Sequence, residues 1–156
     1  MSDSQQRSDS LQPVSALYAR REQEALQRLG EARQRERKAE DDLAHILELG
    51  LDYRRELGDL GRSGIAAASL KHWRGFIVQL DAGAGRQQEA VLRVRSQAGR
   101  EETSWQQARI QSAAIATVQL RRERHRALHE QRSEQRQQDE FAARGAASAR
   151  ANDGEG

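Results

Sequence analysis

Apolar side chains recur along this chain at alternating spacings of three and four residues, and almost nothing interrupts them. On a first stretch the positions 18, 22, 25, 29, 32, 36, 39, 43, 46, 50, 53, 57 and 60 carry ten apolar or aromatic residues out of thirteen. On a second stretch the positions 70, 73, 77, 80, 84, 87, 91, 94, 98, 101, 105, 108, 112 and 115 carry eleven out of fourteen. A repeat averaging 3.5 residues with charged flanks is the pattern of helices that pack along a narrow seam. Strands would alternate every second residue. The chain holds a single proline, Pro13, so its helices meet no internal stop.

The interruption that does occur is Gly58-Asp59-Leu60-Gly61-Arg62-Ser63-Gly64, three glycines in seven residues. It predicts a helix end and a turn. The expected fold is therefore all-α: a helix over 14–60, a bend over 61–66 and a longer helix over 67–143, folded into an antiparallel coiled-coil hairpin. Residues 1–13 and 144–156, polar or small, are expected to be disordered ends. A bend near residue 64 sets position i against roughly 128 − i. At 1.5 Å per residue the helices would run to roughly 70 and roughly 110 Å, so the second outruns the first. Past Val118 it turns polar (Arg121, Arg122, Glu123, Arg124, His125, Arg126), as a segment that docks on another protein would.

Composition narrows the function. Of 156 residues, 32% are charged and 4% aromatic, too little apolar bulk for an enzyme built round a buried pocket. There is no cysteine, which excludes disulfides and thiolate metal sites. The polar start has no apolar run of the secretory kind, and no stretch is apolar enough to span a bilayer. A cytoplasmic location is expected. No phosphate-cradling GxxxxGK[ST] loop is present. Gly83-Ala84-Gly85 lacks a third glycine and a preceding strand, and reads as two glycines where helices approach closely. His125 and His129 share a helix face, but no carboxylate completes a metal set. No catalytic residue, cofactor or metal is expected.

Charge is uneven. Residues 40–60 hold seven acids against Arg54 and Arg55, whereas residues 86–126 hold nine arginines against four glutamates. A basic helix can coat phosphates, but the interleaved acids and the lack of stacking aromatics speak against nucleic acid. Leu47, Leu49, Leu51 and Phe76 fall outside the seam near the bend. Two helices bury only a narrow stripe, so these side chains are expected to form an exposed binding patch.

An ordered set of blocks carries a resemblance. AEDDLAHILELGLDYRREL (Ala39–Leu57), Gly64-Ile65, the W-x-x-F-I-x-x-L of Trp73, Phe76, Ile77 and Leu80, Arg86-Gln87-Gln88, Ser104-Trp105 and DEFAARGAA (Asp139–Ala147) resemble the flagellar export protein FliJ family over about residues 14–147. The resemblance implies a non-enzymatic stalk of the flagellar type III export apparatus. It would bind the export ATPase and promote its ring assembly, contact the export gate protein FlhA, escort export chaperones, and sit peripherally at the cytoplasmic membrane through the gate. It places the gate surface at Asp42, Ile46, Leu49, Tyr53, Phe76, Leu80, Gly83 and Gln87. The ATPase end is expected at Arg121, Arg122, Arg124 and Phe141. The alternatives are the equivalent stalk of a virulence secretion system and a basic coiled-coil nucleic-acid-binding protein.

Overall fold

The computed structural model describes residues 11–154. It consists of two helices, α1 (Leu11–Ser63) and α2 (Ala67–Asp153), with no strand among the described residues. They pack against each other, and α2 is the longer, as expected. All the seam positions tested above, polar members included, are buried or half-buried. The contacts divide the chain into two compact units, residues 20–109 and residues 11–19 with 110–154.

Within 20–109 the helices run antiparallel. Tyr53 meets both Trp73 and Phe76, Arg28 reaches Glu101, and the Gln87 amide donates to the Ala39 carbonyl at 3.0 Å. These pairs set i against 126–129 minus i, close to the register expected. The buried residues are few and mostly small: Ala25, Leu29, Ala32, Gly50, Val91 and Ala98. Two helices leave the outer side of any larger seam residue in water. The Trp105 indole N–H is buried without a hydrogen-bond partner, and the Arg109 guanidinium lies 5.5 Å from its ring centroid.

The bend is tighter than the sequence suggests. Helix α1 continues through Gly58 and Gly61 to Ser63, whose hydroxyl donates to the carbonyls of Asp59 and Leu60 at 3.3 and 3.1 Å. Gly64 then takes φ of +86°, the left-handed conformation that ends helices. Half-buried Ile65 follows it, and α2 opens with the Leu70 N–H on the Ala66 carbonyl at 3.0 Å. So the turn is Gly64, Ile65 and Ala66 rather than all of 61–66.

The outer ends also differ from expectation. Helix α1 begins at Leu11, three residues before 14, because Pro13 fits a helix's first turn, where its missing N–H is no loss. Residues 144–153, expected as a disordered tail, are helical. That segment is rich in Ala and Arg, and Gly145 alone does not stop it. The part of the expected N-terminal tail at residues 1–10, and residues 155–156, lie outside the described residues. Gly83 and Gly85 mark no close approach either. A methyl group at Gly85 would meet nothing within 4 Å, and one at Gly83 only the end of Arg86 at 3.8 Å.

Two substitutions separate these glycine roles. Gly64→Ala places a side chain in left-handed backbone and is expected to lower stability by about 1–2 kcal/mol. Gly30→Ala, in open helix surface, is expected to raise it by about 0.5–1 kcal/mol. Thermal unfolding followed by circular dichroism reads both.

Candidate functional site: two edges of the hairpin and an unpaired helix

A two-helix seam has two edges, and in residues 20–109 they are built differently. On the first edge lie Asp42, Leu49, Phe76 and Gly83, flanking the seam residues Ile46, Tyr53, Leu80 and Gln87. The heptad register therefore brings all eight residues of the expected gate surface to one edge. At its centre Tyr53 stacks edge-on against Phe76, with centroids 4.8 Å apart and planes at 77°. Tyr53 also lies 5.5 Å from Trp73. A shallow groove runs past these rings, lined by Tyr53, His72, Trp73 and Phe76. Leu49 and Gly83 are half-buried, and the Phe76 ring is partly exposed. Two members are already engaged: Asp42 pairs with Lys38 at 2.9 Å, and Gln87 with the Ala39 carbonyl. Among the described residues no ion pair crosses to α2 from positions 42–53 on this edge.

The opposite edge is closed by rungs of charge. Arg33 meets Glu102 at 2.9 Å, Glu40 meets Arg95, and Arg54 meets Asp81. Arg95 also approaches half-buried Glu36 at 3.4 Å. The hydrogen bond and field of Glu40, with a smaller contribution from Glu36, raise the Arg95 guanidinium above its ordinary pKa. Leu47 and Leu51 lie on this edge, both exposed. They do not share a surface with Leu49 and Phe76, so the single patch expected near the bend is two patches. Helix geometry separates them: residues two apart differ by about 200°.

Residues 11–19 and 110–154 form the other unit. Here the Gln119 amide donates to the Leu11 carbonyl at 3.2 Å. A groove beside the start of α1 is lined by Leu11, Ser15, Ala19, Gln119, Arg122 and Arg126, among others. Beyond Gln119 almost every residue of α2 is exposed, Leu120, Leu128 and Phe141 included, with Phe141 at 80%. Arg121, Arg122, Arg124 and Phe141 are all exposed, and Arg122 lines the groove. His125 and His129 gain no third ligand: no group of three metal-binding side chains occurs among the described residues.

These features define a two-helix coiled-coil protein, helical over the described residues except at the turn. No helix among the described residues is long and apolar enough to cross a membrane. The family model described as flagellar FliJ protein matches residues 7–151, and the chain belongs to that family. The family serves flagellar type III protein export. No curated protein and no solved structure matches the chain.

Two measurements follow from this geometry. A double-mutant cycle of Tyr53→Leu and Phe76→Leu is expected to give a coupling of about 0.5–1.5 kcal/mol in chemical denaturation, the range for an edge-to-face aromatic pair. Amide hydrogen exchange is expected to be slow in the paired parts of α1 and α2. It should be fast over residues 127–150, which are exposed almost throughout and have no second helix alongside among the described residues.

Proposed function

We propose that this protein is a non-enzymatic stalk of the flagellar export apparatus in the cytoplasm. It binds the export ATPase through the end where α2 outruns α1, and promotes assembly of the ATPase ring. Through the aromatic edge it contacts the export gate protein FlhA at the inner face of the cell membrane, and it escorts export chaperones. The observation that carries this reading is the match to the FliJ family over residues 7–151, almost the whole chain. The open edge around Leu49, Tyr53 and Phe76 supports a contact there: it is apolar, no interhelical ion pair among the described residues covers it, and its rings are held in place by each other. The exposed helix with Arg121, Arg122, Arg124 and Phe141 supports a second contact.

The mechanism is a shift of population. A stalk that binds assembled ATPase better than free subunits favours the ring by that difference in affinity, and needs no chemistry of its own.

The hydrolysis rate of the cognate export ATPase, measured with and without this chain across ATPase concentrations, tests the reading. The chain is expected to raise the rate most where rings are partly assembled. Replacing Arg121, Arg122 and Arg124 together with Glu is expected to abolish that rise while leaving helicity intact. No rise at any concentration that permits rings would overturn the stalk role. Separately, Phe76→Ala is expected to weaken binding to the gate protein at least tenfold with unchanged helicity. A large loss of helicity would instead place Phe76 in the core.

A further inference from the structure

The charged edge of the hairpin has a gap. The three rungs, 33 with 102, 40 with 95 and 54 with 81, each total 135 in residue number and fall on a seven-residue repeat. That repeat sets Leu47 opposite Gln88, so the rung between Glu40–Arg95 and Arg54–Asp81 carries no charge. It likewise sets Gly61 opposite Arg74, so the rung beyond Arg54–Asp81 is half missing.

Round the uncharged rung the surface is apolar and bare. Leu47, Leu51, Val78 and Leu92 are 53, 54, 65 and 59% exposed. Their heptad positions put them all on this edge, and Gly85 among them has nothing within 4 Å of where a methyl would stand. Apart from Leu26 further along the same edge and Phe76 on the other, these are the large apolar side chains most open to water in residues 20–109. A coiled coil whose apolar residues spread from the seam onto one edge is built to take a third helix.

Charge says what kind of helix. Glu40, Asp81 and Glu102, the acids of this edge, are all spent on the interhelical rungs. Arg37, Lys71 and Arg74 on the same edge have no carboxylate within ion-pair distance among the described residues, and the Arg37 side chain donates only to the Arg33 carbonyl at 3.5 Å. They bracket the apolar window at both ends. We propose that this edge is a docking site for an amphipathic helix of another protein, with a leucine-type stripe of about four to five turns and acidic residues at its flanks. Alanine-sized residues would lie over Gly85, and acids would reach Arg37 at one end and Lys71 and Arg74 at the other. The site is separate from the aromatic edge and does not depend on the role assigned to that edge.

The test uses the full chain and two synthetic probes: a labelled helical peptide with a leucine heptad stripe flanked by Glu, and its counterpart flanked by Lys. Fluorescence anisotropy is expected to show the Glu peptide binding at least tenfold more tightly than the Lys peptide. Leu47→Gln with Leu51→Gln should weaken it at least tenfold. Lys71→Glu with Arg74→Glu should weaken it severalfold, and Phe76→Ala should leave it unchanged. Leu47 and Leu51 are exposed, so their replacement should keep the circular dichroism of the parent. Equal binding of the two peptides, or binding indifferent to Leu47 and Leu51, would overturn the proposal. So would sedimentation showing self-association that the Leu47 and Leu51 changes abolish, because a second copy would then be the occupant. Loss of Glu-peptide binding in Phe76→Ala would also overturn it, by moving the site to the other edge.

Discussion

Everything in this molecule depends on a seam only one side chain wide, because a two-helix seam cannot exclude water by itself. The residues it buries are mostly alanines and a glycine, and burying such small surfaces contributes little per residue. Length supplies the remaining stability, as does the charge that lies along the seam. Arg95 holds Glu36 and Glu40 together, and Arg28 reaches half-buried Glu101. Each exposed pair contributes well under or about 1 kcal/mol. Their larger effect is on register. Along the charged edge α1 reads Arg33, Glu40, Leu47, Arg54, and α2 reads back Glu102, Arg95, Gln88, Asp81. A slip of one heptad sets Arg33 against Arg95, or Glu40 against Glu102. A seam of similar small residues would tolerate that slip; the charges do not.

The same economy explains why the two edges differ. One carries the charge code and is covered by it, except where Leu47 and Gln88 replace a rung. The other carries, among the described residues, no crossing ion pair between 42 and 53, and presents rings instead. Tyr53, Trp73 and Phe76 are bulkier than a two-helix seam can enclose, so they lean on each other and leave part of their faces in water. Rings fixed by mutual contact lose little freedom when a partner covers them, which favours binding there.

Most of this was legible in the residues because a coiled coil writes its contacts as a period. The 3–4 spacing identifies the seam residue by residue, polar members such as Glu36 and Gln87 included, and the glycine cluster locates the turn to within a few residues. Helix ends were less legible. Ala, Arg and Gln continue a helix without a stop signal, so the sequence offers no reason for α2 to end at 143 rather than Asp153. Only a left-handed glycine marks an end sharply, and Gly64 is the one that adopts that conformation, not Gly58 or Gly61. The split of Leu47 and Leu51 from Leu49 was present in the heptad but hidden by reading exposure without direction. Gly83 and Gly85, which suggest close approach in sequence, do not mark one. The charge rungs needed both helices to be aligned before Leu47 stood out as the missing one.

The unpaired part of α2 follows from the same physics. Its surface has no seam to enter, yet Ala, Arg, Glu and Gln keep it helical through local propensity and pairs such as Glu140 with Arg144. The segment is helical to Asp153 in the chain alone, so a partner meets a helix rather than a coil. The entropy of fixing the backbone, about 1–2 kcal/mol per residue, is then largely spent before binding rather than during it. Leu128 and Phe141 are exposed on this helix. A partner at this end therefore meets a surface whose backbone needs little reordering. That suits the proposed stalk role, in which the chain would favour one assembly state of a partner over another.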